Sequence, residues 1–195
     1  TRYGKQQGSK KGYNPKKRGR LSHHPLIAFV AELKMVANFW LRPGNSNTSN
    51  NILAFLQETF DVLQGKTIGL FRADSGFYSK DVMEWLEDKQ TDYVIAVKMY
   101  PNLRDEFKEN AKWVEHADGI WVGEIMFKAE NWDKARRIVI VKQQVDLRPK
   151  APGKLLFPDD EIYRNYRYTA YVTNSKLSSV LVWELYRQRG DAENR

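Results

Sequence analysis

The 195-residue chain has no cysteine. That excludes disulfides and thiolate metal sites, and it suits a reducing compartment. Imidazole is scarce as well: His23, His24 and His116 are the only histidines, too few for a histidine-rich zinc centre. Long apolar runs are missing. The longest, Leu26 to Leu41, is broken by Glu32, Lys34 and Asn38, so it does not read as a membrane span. No secretory signal pattern opens the chain. Acidic residues are absent from residues 1–20, which instead hold Arg2, Lys5, Lys10, Lys11, Lys16, Lys17, Arg18 and Arg20.

That last absence explains the net charge of +8. Taking these eight cations from the 32 Lys and Arg leaves 24 basic groups against 24 acidic ones over residues 21–195. The basic character therefore belongs to one segment and not to the fold. Rich also in Gly, Gln, Ser and Asn, residues 1–20 read as a loop or arm that seeks phosphates, or else as a solvated tail. What the chain does have is apolar mass: 42% hydrophobic residues, with 6 Trp, 10 Tyr and 9 Phe, enough for a substantial core.

The apolar pattern orders this mass. Leu26 to Ala31 and Met35 to Leu41 read as a strand hairpin, with a helix as the alternative, and Arg42-Pro43-Gly44-Asn45 reads as a turn. Asn50 to Gln64 has a helical stripe of Ile52, Leu53, Phe55, Leu56, Phe60 and Leu63, with Ser49 or Asn50 as cap and Gly65 as stop. Thr67 to Ala73 reads as a buried strand ending at Asp74-Ser75-Gly76. Ser79 caps a second helix with Asp81 in its first turn, and Tyr93 to Val97 is another strand. This alternation predicts an α/β sheet. Beyond residue 98 a short helix over Leu103 to Asn110 is followed by strands at Ile120 to Phe127, Arg137 to Val145 and Tyr166 to Val172. Residues 146–162 are Pro-rich and irregular, and a helix begins near Ser178. The expected organisation is an α/β core over 1–98, a β-rich insertion over 99–175 and a core helix over 176–195.

Two places carry chemistry. Asp74 stands where an apolar strand ends, and the carboxyl ends of strands in α/β sheets face the ligand crevice. It is a candidate metal ligand, or the acceptor of a plain Asx-turn. Arg72 shares its strand face and could counter Asp74 or a phosphate. Tyr186, Arg189 and Glu193 are spaced three and four apart, so a continuous helix would gather phenol, guanidinium and carboxylate on one face. Such a face can grip a phosphate beside a metal. Two-metal phosphodiester chemistry needs a third carboxylate, and no other strand-end acid stands out; Glu32 lies in an apparent turn.

The segments GYNPKKRGRLSHHPLIAF (12–29), RADSGF (72–77) and YRQRGDAENR (186–195) resemble insertion-sequence transposases of the DDE type, in particular the branch with a Tyr-x2-Arg-x3-Glu-x6-Lys signature. Tyr186, Arg189 and Glu193 match its first three positions. The resemblance spans essentially the whole chain. It implies an RNase H-like mixed sheet interrupted by a β-strand-rich insertion, Asp74 and Glu193 as catalytic metal ligands, and Mg²⁺ or Mn²⁺ as cofactor. It implies DNA as partner, both transposon ends and target, with a homodimer assembled on DNA in the bacterial cytoplasm. Arg189 would hold a DNA phosphate and Tyr186 would bond one or pack in the core. Lys16, Lys17, Arg18 and Arg20 would contact the DNA backbone. An aromatic of the insertion could stack on a flipped base, with Trp121 and Trp132 as candidates by location. The family's first catalytic Asp would fall before Thr1 and the signature Lys beyond Arg195. On that basis the stretch is expected to be a catalytic-domain fragment that binds metal weakly and cleaves little or no DNA. The alternatives are an inactive DNA-binding remnant of a mobile element and another RNase H-like nuclease.

Overall fold

The computed structural model describes residues 2–3, 6–12, 19–47, 51–145 and 166–192. The chain divides into two compact units, residues 1–68 with 189–195, and residues 69–188.

In the first unit the basic segment is not featureless. Strands β1 (Arg2–Tyr3), β2 (Lys10–Lys11) and β3 (Leu21–His23) form a small antiparallel sheet in the order β1-β3-β2. Strands of two residues are too short to show periodicity, which is why a loop was expected there. The turn after Arg42 secures this sheet. The Gly44 amide donates to the Ser22 carbonyl at 2.8 Å, and the Arg42 guanidinium donates to the carbonyls of His24 and Asn47. A Cβ on Gly44 would overlap the Ser22 hydroxyl and lie 2.6 Å from the Lys10 carbonyl oxygen. Gly44→Ala is therefore expected to cost about 1–3 kcal/mol through overpacking. A lowered urea midpoint checks this, with Gly69→Ala, which meets nothing within 4 Å, as the silent control.

The expected hairpin is present as β4 (Leu26–Val30) and β5 (Met35–Trp40), antiparallel with a bulge between Ala28 and Phe29. Helix α1 (Ile52–Val62) lies against it. Trp40 meets Phe55 edge-on at 5.4 Å, and the Asn38 amide donates to the Thr59 hydroxyl, so the inward face combines apolar contact with a satisfied buried polar pair. The helix starts at Asn51, whose backbone is left-handed (φ 58°) and whose side chain makes no capping bond. The expected caps, Ser49 and Asn50, lie outside the described residues. The helix ends at Val62 with Leu63 as its C-cap, and Gly65, expected as the stop, lies past it in the following turn at φ 77°.

The second unit is built on a six-stranded mixed sheet in the order β6-β7-β11-β10-β9-β8. Its strands are β6 (Phe71–Ala73), β7 (Tyr93–Val97), β8 (Lys112–Ala117), β9 (Ile120–Phe127), β10 (Arg136–Gln144) and β11 (Tyr166–Thr173). Only β6 and β7 run parallel, joined through helix α2 (Lys80–Asp88); the other pairs are antiparallel. Ser79 caps α2 by accepting from the Val82 amide, as expected. Residues Ile138 to Val141 are fully buried because β10 is central and covered on both faces. On one face, Val139 and Val141 pack with Val182 and Trp183 of helix α4 (Ser179–Arg187). On the other, Phe107 of helix α3 (Pro101–Asn110) lies tilted against Tyr168 and meets Trp113 edge-on. This is the mixed α/β architecture expected from the sequence. The Pro-rich stretch 146–162 lies outside the described residues.

Two details differ from expectation. β6 is three residues long, not the seven of Thr67 to Ala73, because β7 offers it only Tyr93 to Ile95 as partners. β8 was not foreseen. It is an edge strand, exposed along nearly its whole length, and such strands carry no apolar alternation to reveal them.

Candidate active site

Asp74 follows directly on β6, where the chain leaves the sheet. It caps the 3-10 turn Ser75–Phe77: its Oδ1 accepts from the Gly76 amide at 2.8 Å and its carbonyl accepts from Phe77 at 3.1 Å. The Asx-turn is thus real, and the carboxylate is nonetheless solvent-exposed. The turn fixes one oxygen and so orients the side chain. A carboxylate oxygen is the hard donor that Mg²⁺ or Mn²⁺ prefers, alongside waters and phosphate oxygens. Among the described residues no group of three or more His, Asp or Glu side chains is gathered for a metal. Asp74 fits the donor chemistry there. Its expected companion Glu193 lies outside the described residues, as do Lys16, Lys17 and Arg18.

Arg72, on the same side of β6 as Asp74, points elsewhere than expected. Its guanidinium donates to the backbone carbonyl of Leu185 in α4 at 2.6 Å. Ser178 caps the start of α4 by accepting from Leu181. Arg137 of β10 secures the approach, donating to the carbonyls of Ser175 and Leu177 and to Glu124 and the Ser179 hydroxyl. Tyr186 lies in the last turn of α4, half-buried, with its ring 4.4 Å from that of Tyr171. Arg189 falls beyond the α-helix, in a 3-10 turn over Gln188–Ala192. The uniform 100° step assumed from sequence ends at Gln188, where 3-10 geometry turns by about 120° per residue. Arg20 is exposed.

The two tryptophans part company. Trp132 is 5% exposed, flanked by Tyr78 and Phe127 and covered by the Arg136 guanidinium, which makes it a core residue. Burial pushes the neighbouring Tyr78 phenol up to about 12, reinforced by Tyr100 and opposed by Arg136. Trp121 is half-exposed, with Tyr166 at 5.8 Å and the Lys142 ammonium over both rings, at 5.0 and 4.1 Å. Lys142 and Tyr166 were not singled out from sequence; a strand register would have found them, since Lys142 stands opposite Trp121 across β9 and β10.

A family model described as the transposase DDE domain, group 1, matches residues 1–195. The chain belongs to the DDE transposase family. No curated protein matches it significantly. Membership makes DNA the partner and nucleotidyl transfer the general chemistry, and divalent metals are the family's usual cofactor. Among the described residues, no helix of this DDE transposase is long and apolar enough to cross a membrane.

Proposed function

We propose that this chain is the catalytic domain of a cut-and-paste DNA transposase, with Asp74 and Glu193 as its carboxylate ligands. The observation that carries the proposal is an exposed, turn-oriented carboxylate at the end of β6, in a chain matched along its length by the DDE domain. Asp74 and Glu193 hold Mg²⁺ or Mn²⁺, with the family's first Asp completing the set. A bound divalent cation supplies charge neutralisation at the scissile phosphate and a more acidic attacking water. The chain's own residues do the rest. Arg189 grips a DNA phosphate through its planar fork, and Tyr186 braces that helix end against the core. Trp121 and Lys142 offer a stacking surface for an unpaired base. Water, then a DNA 3′-hydroxyl, attacks in line, and a homodimer forms on paired transposon ends.

Lys16, Lys17, Arg18 and Arg20 neutralise phosphates without reading sequence. Replacing all four by Ala lowers DNA affinity and reduces the slope of log K against log salt by about 3–4, at roughly 0.9 per phosphate contact. Fluorescence anisotropy at several salt concentrations measures it. An unchanged slope would remove these residues from the DNA interface, and failure of the wild-type transposase to bind DNA would sink the functional reading.

A further inference from the structure

The hydrogen bond from Arg72 to Leu185 joins two residues 113 apart in sequence and half-buried. One end sits on β6 two residues before Asp74. The other is the residue before Tyr186. Leu185 is among the last four residues of α4, whose carbonyls the helix does not satisfy by itself. A guanidinium at that end meets a last-turn carbonyl and the negative end of the helix dipole together, and both favour the contact. The next residues leave α geometry for the 3-10 turn that begins at Gln188, so the bond grips the helix just before it changes pitch. Arg137 holds the opposite end of α4 through Ser175, Leu177 and Ser179. The helix is therefore pinned at both ends, and the C-terminal pin is anchored on the strand that delivers Asp74.

We infer that Arg72 is a positioning residue for the active site: it ties the last turn of α4, and with it Tyr186, to the strand end that carries Asp74. Its charge is engaged by a backbone carbonyl, so it acts through placement and not by touching the substrate. The inference rests on the proposed role of Asp74. Lysine can donate one hydrogen bond to the same carbonyl and keeps the charge, whereas alanine keeps neither.

The test compares wild-type, Arg72→Ala and Arg72→Lys transposase in two measurements. The first is amide hydrogen exchange along α4. Arg72→Ala is expected to speed exchange at residues 186–189 about tenfold or more, the size of losing a charge-assisted hydrogen bond. Residues 180–183 stay within about threefold of wild type on the same grounds, and Arg72→Lys recovers most of the protection. The second is metal-dependent strand cleavage by the full-length transposase, which supplies the family's first Asp. In Arg72→Ala kcat falls with KM for DNA unchanged, and Arg72→Lys restores it. Unchanged exchange at 186–189, or an equal loosening of the whole unit, would overturn the inference, as would a kcat unaffected by Arg72→Ala. Cleavage retained in Asp74→Asn would overturn the active-site assignment alone, and the exchange measurement would still decide whether Arg72 ties the helix.

Discussion

In a full-length transposase that supplies the family's first Asp, Asp74→Asn lowers metal-dependent DNA strand cleavage about a thousandfold or more, with DNA binding within about twofold of wild type. The magnitude follows from the chemistry withdrawn. A metal ligand lost at a phosphoryl centre removes several kcal/mol of transition-state stabilisation, and each 1.36 kcal/mol is about tenfold in rate. Asparagine suits the test because its Oδ1 can still accept from the Gly76 amide, preserving the turn that Asp74 makes. The substitution thus separates a structural role from a chemical one. If Asp74 were only a turn former, the variant would cleave like wild type. Binding should persist because the phosphate contacts proposed for the basic segment, and not the carboxylate, would supply the affinity. Gel-based cleavage assays with Mg²⁺ and with Mn²⁺ read the first quantity and anisotropy the second. Cleavage within tenfold of wild type would remove Asp74 from the site.

How far the sequence foretold this arrangement depended on whether the deciding forces were local. Ser79 could be read as a cap because its partner, the Val82 amide, is three residues away. The strand Ile138 to Val141 announced itself because both of its faces are covered, leaving an unbroken apolar run. Asp74 was legible as a strand end by turn chemistry alone, although the same letters fit a ligand and an Asx-turn, and the structure has the turn with the carboxylate exposed. Non-local contacts left no such trace. Thr67 to Leu70 looked like strand, yet a strand needs a partner, and β7 supplies one only from Phe71 onward. The edge strand Lys112–Ala117 has charged and apolar residues without alternation, since neither face is deeply buried. Arg72 seemed aimed at Asp74 because side chains two apart share a strand face. Only folding brings Leu185 within reach, and a carbonyl at the negative end of a helix is the partner the half-buried guanidinium takes, while the exposed carboxylate is bonded to Gly76. The Tyr186 to Glu193 spacing assumed one continuous helix, and the change of pitch at Gln188 is set by how the last carbonyls are satisfied, which no spacing encodes.

The second large effect concerns stability. Arg136 is buried, its side chain 3% exposed, and it grips Glu87 of α2 with two hydrogen bonds, Nε to Oε1 at 2.8 Å and a terminal nitrogen to Oε2 at 2.9 Å. Lys134 and the Tyr93 hydroxyl add donors to the same carboxylate. Burial pushes the Glu87 carboxyl up, but the hydrogen bonds from Arg136, Lys134 and Tyr93 outweigh it and hold the group at about 2, against an ordinary 4.5. Burial and the Glu87 charge push the Tyr93 phenol well above its usual range. Glu87→Ala takes both of these hydrogen bonds from a buried guanidinium and leaves it Glu84 at 3.7 Å, and breaking such a pair costs about 3–5 kcal/mol. The double replacement Glu87→Met with Arg136→Met should recover more than half of that loss, because removing both charges also removes their desolvation cost. The pH dependence has a definite sign. A carboxyl depressed in the folded state stabilises fully above its ordinary value and loses that contribution as pH falls through the folded one. The gap in urea midpoint between wild type and Glu87→Ala is therefore wide at pH 7 and narrows between about pH 4.5 and pH 2. Parallel midpoints across that window would show that Glu87 contributes packing and not charge. A double variant no more stable than Glu87→Ala would show that the guanidinium has other partners worth as much as the carboxylate.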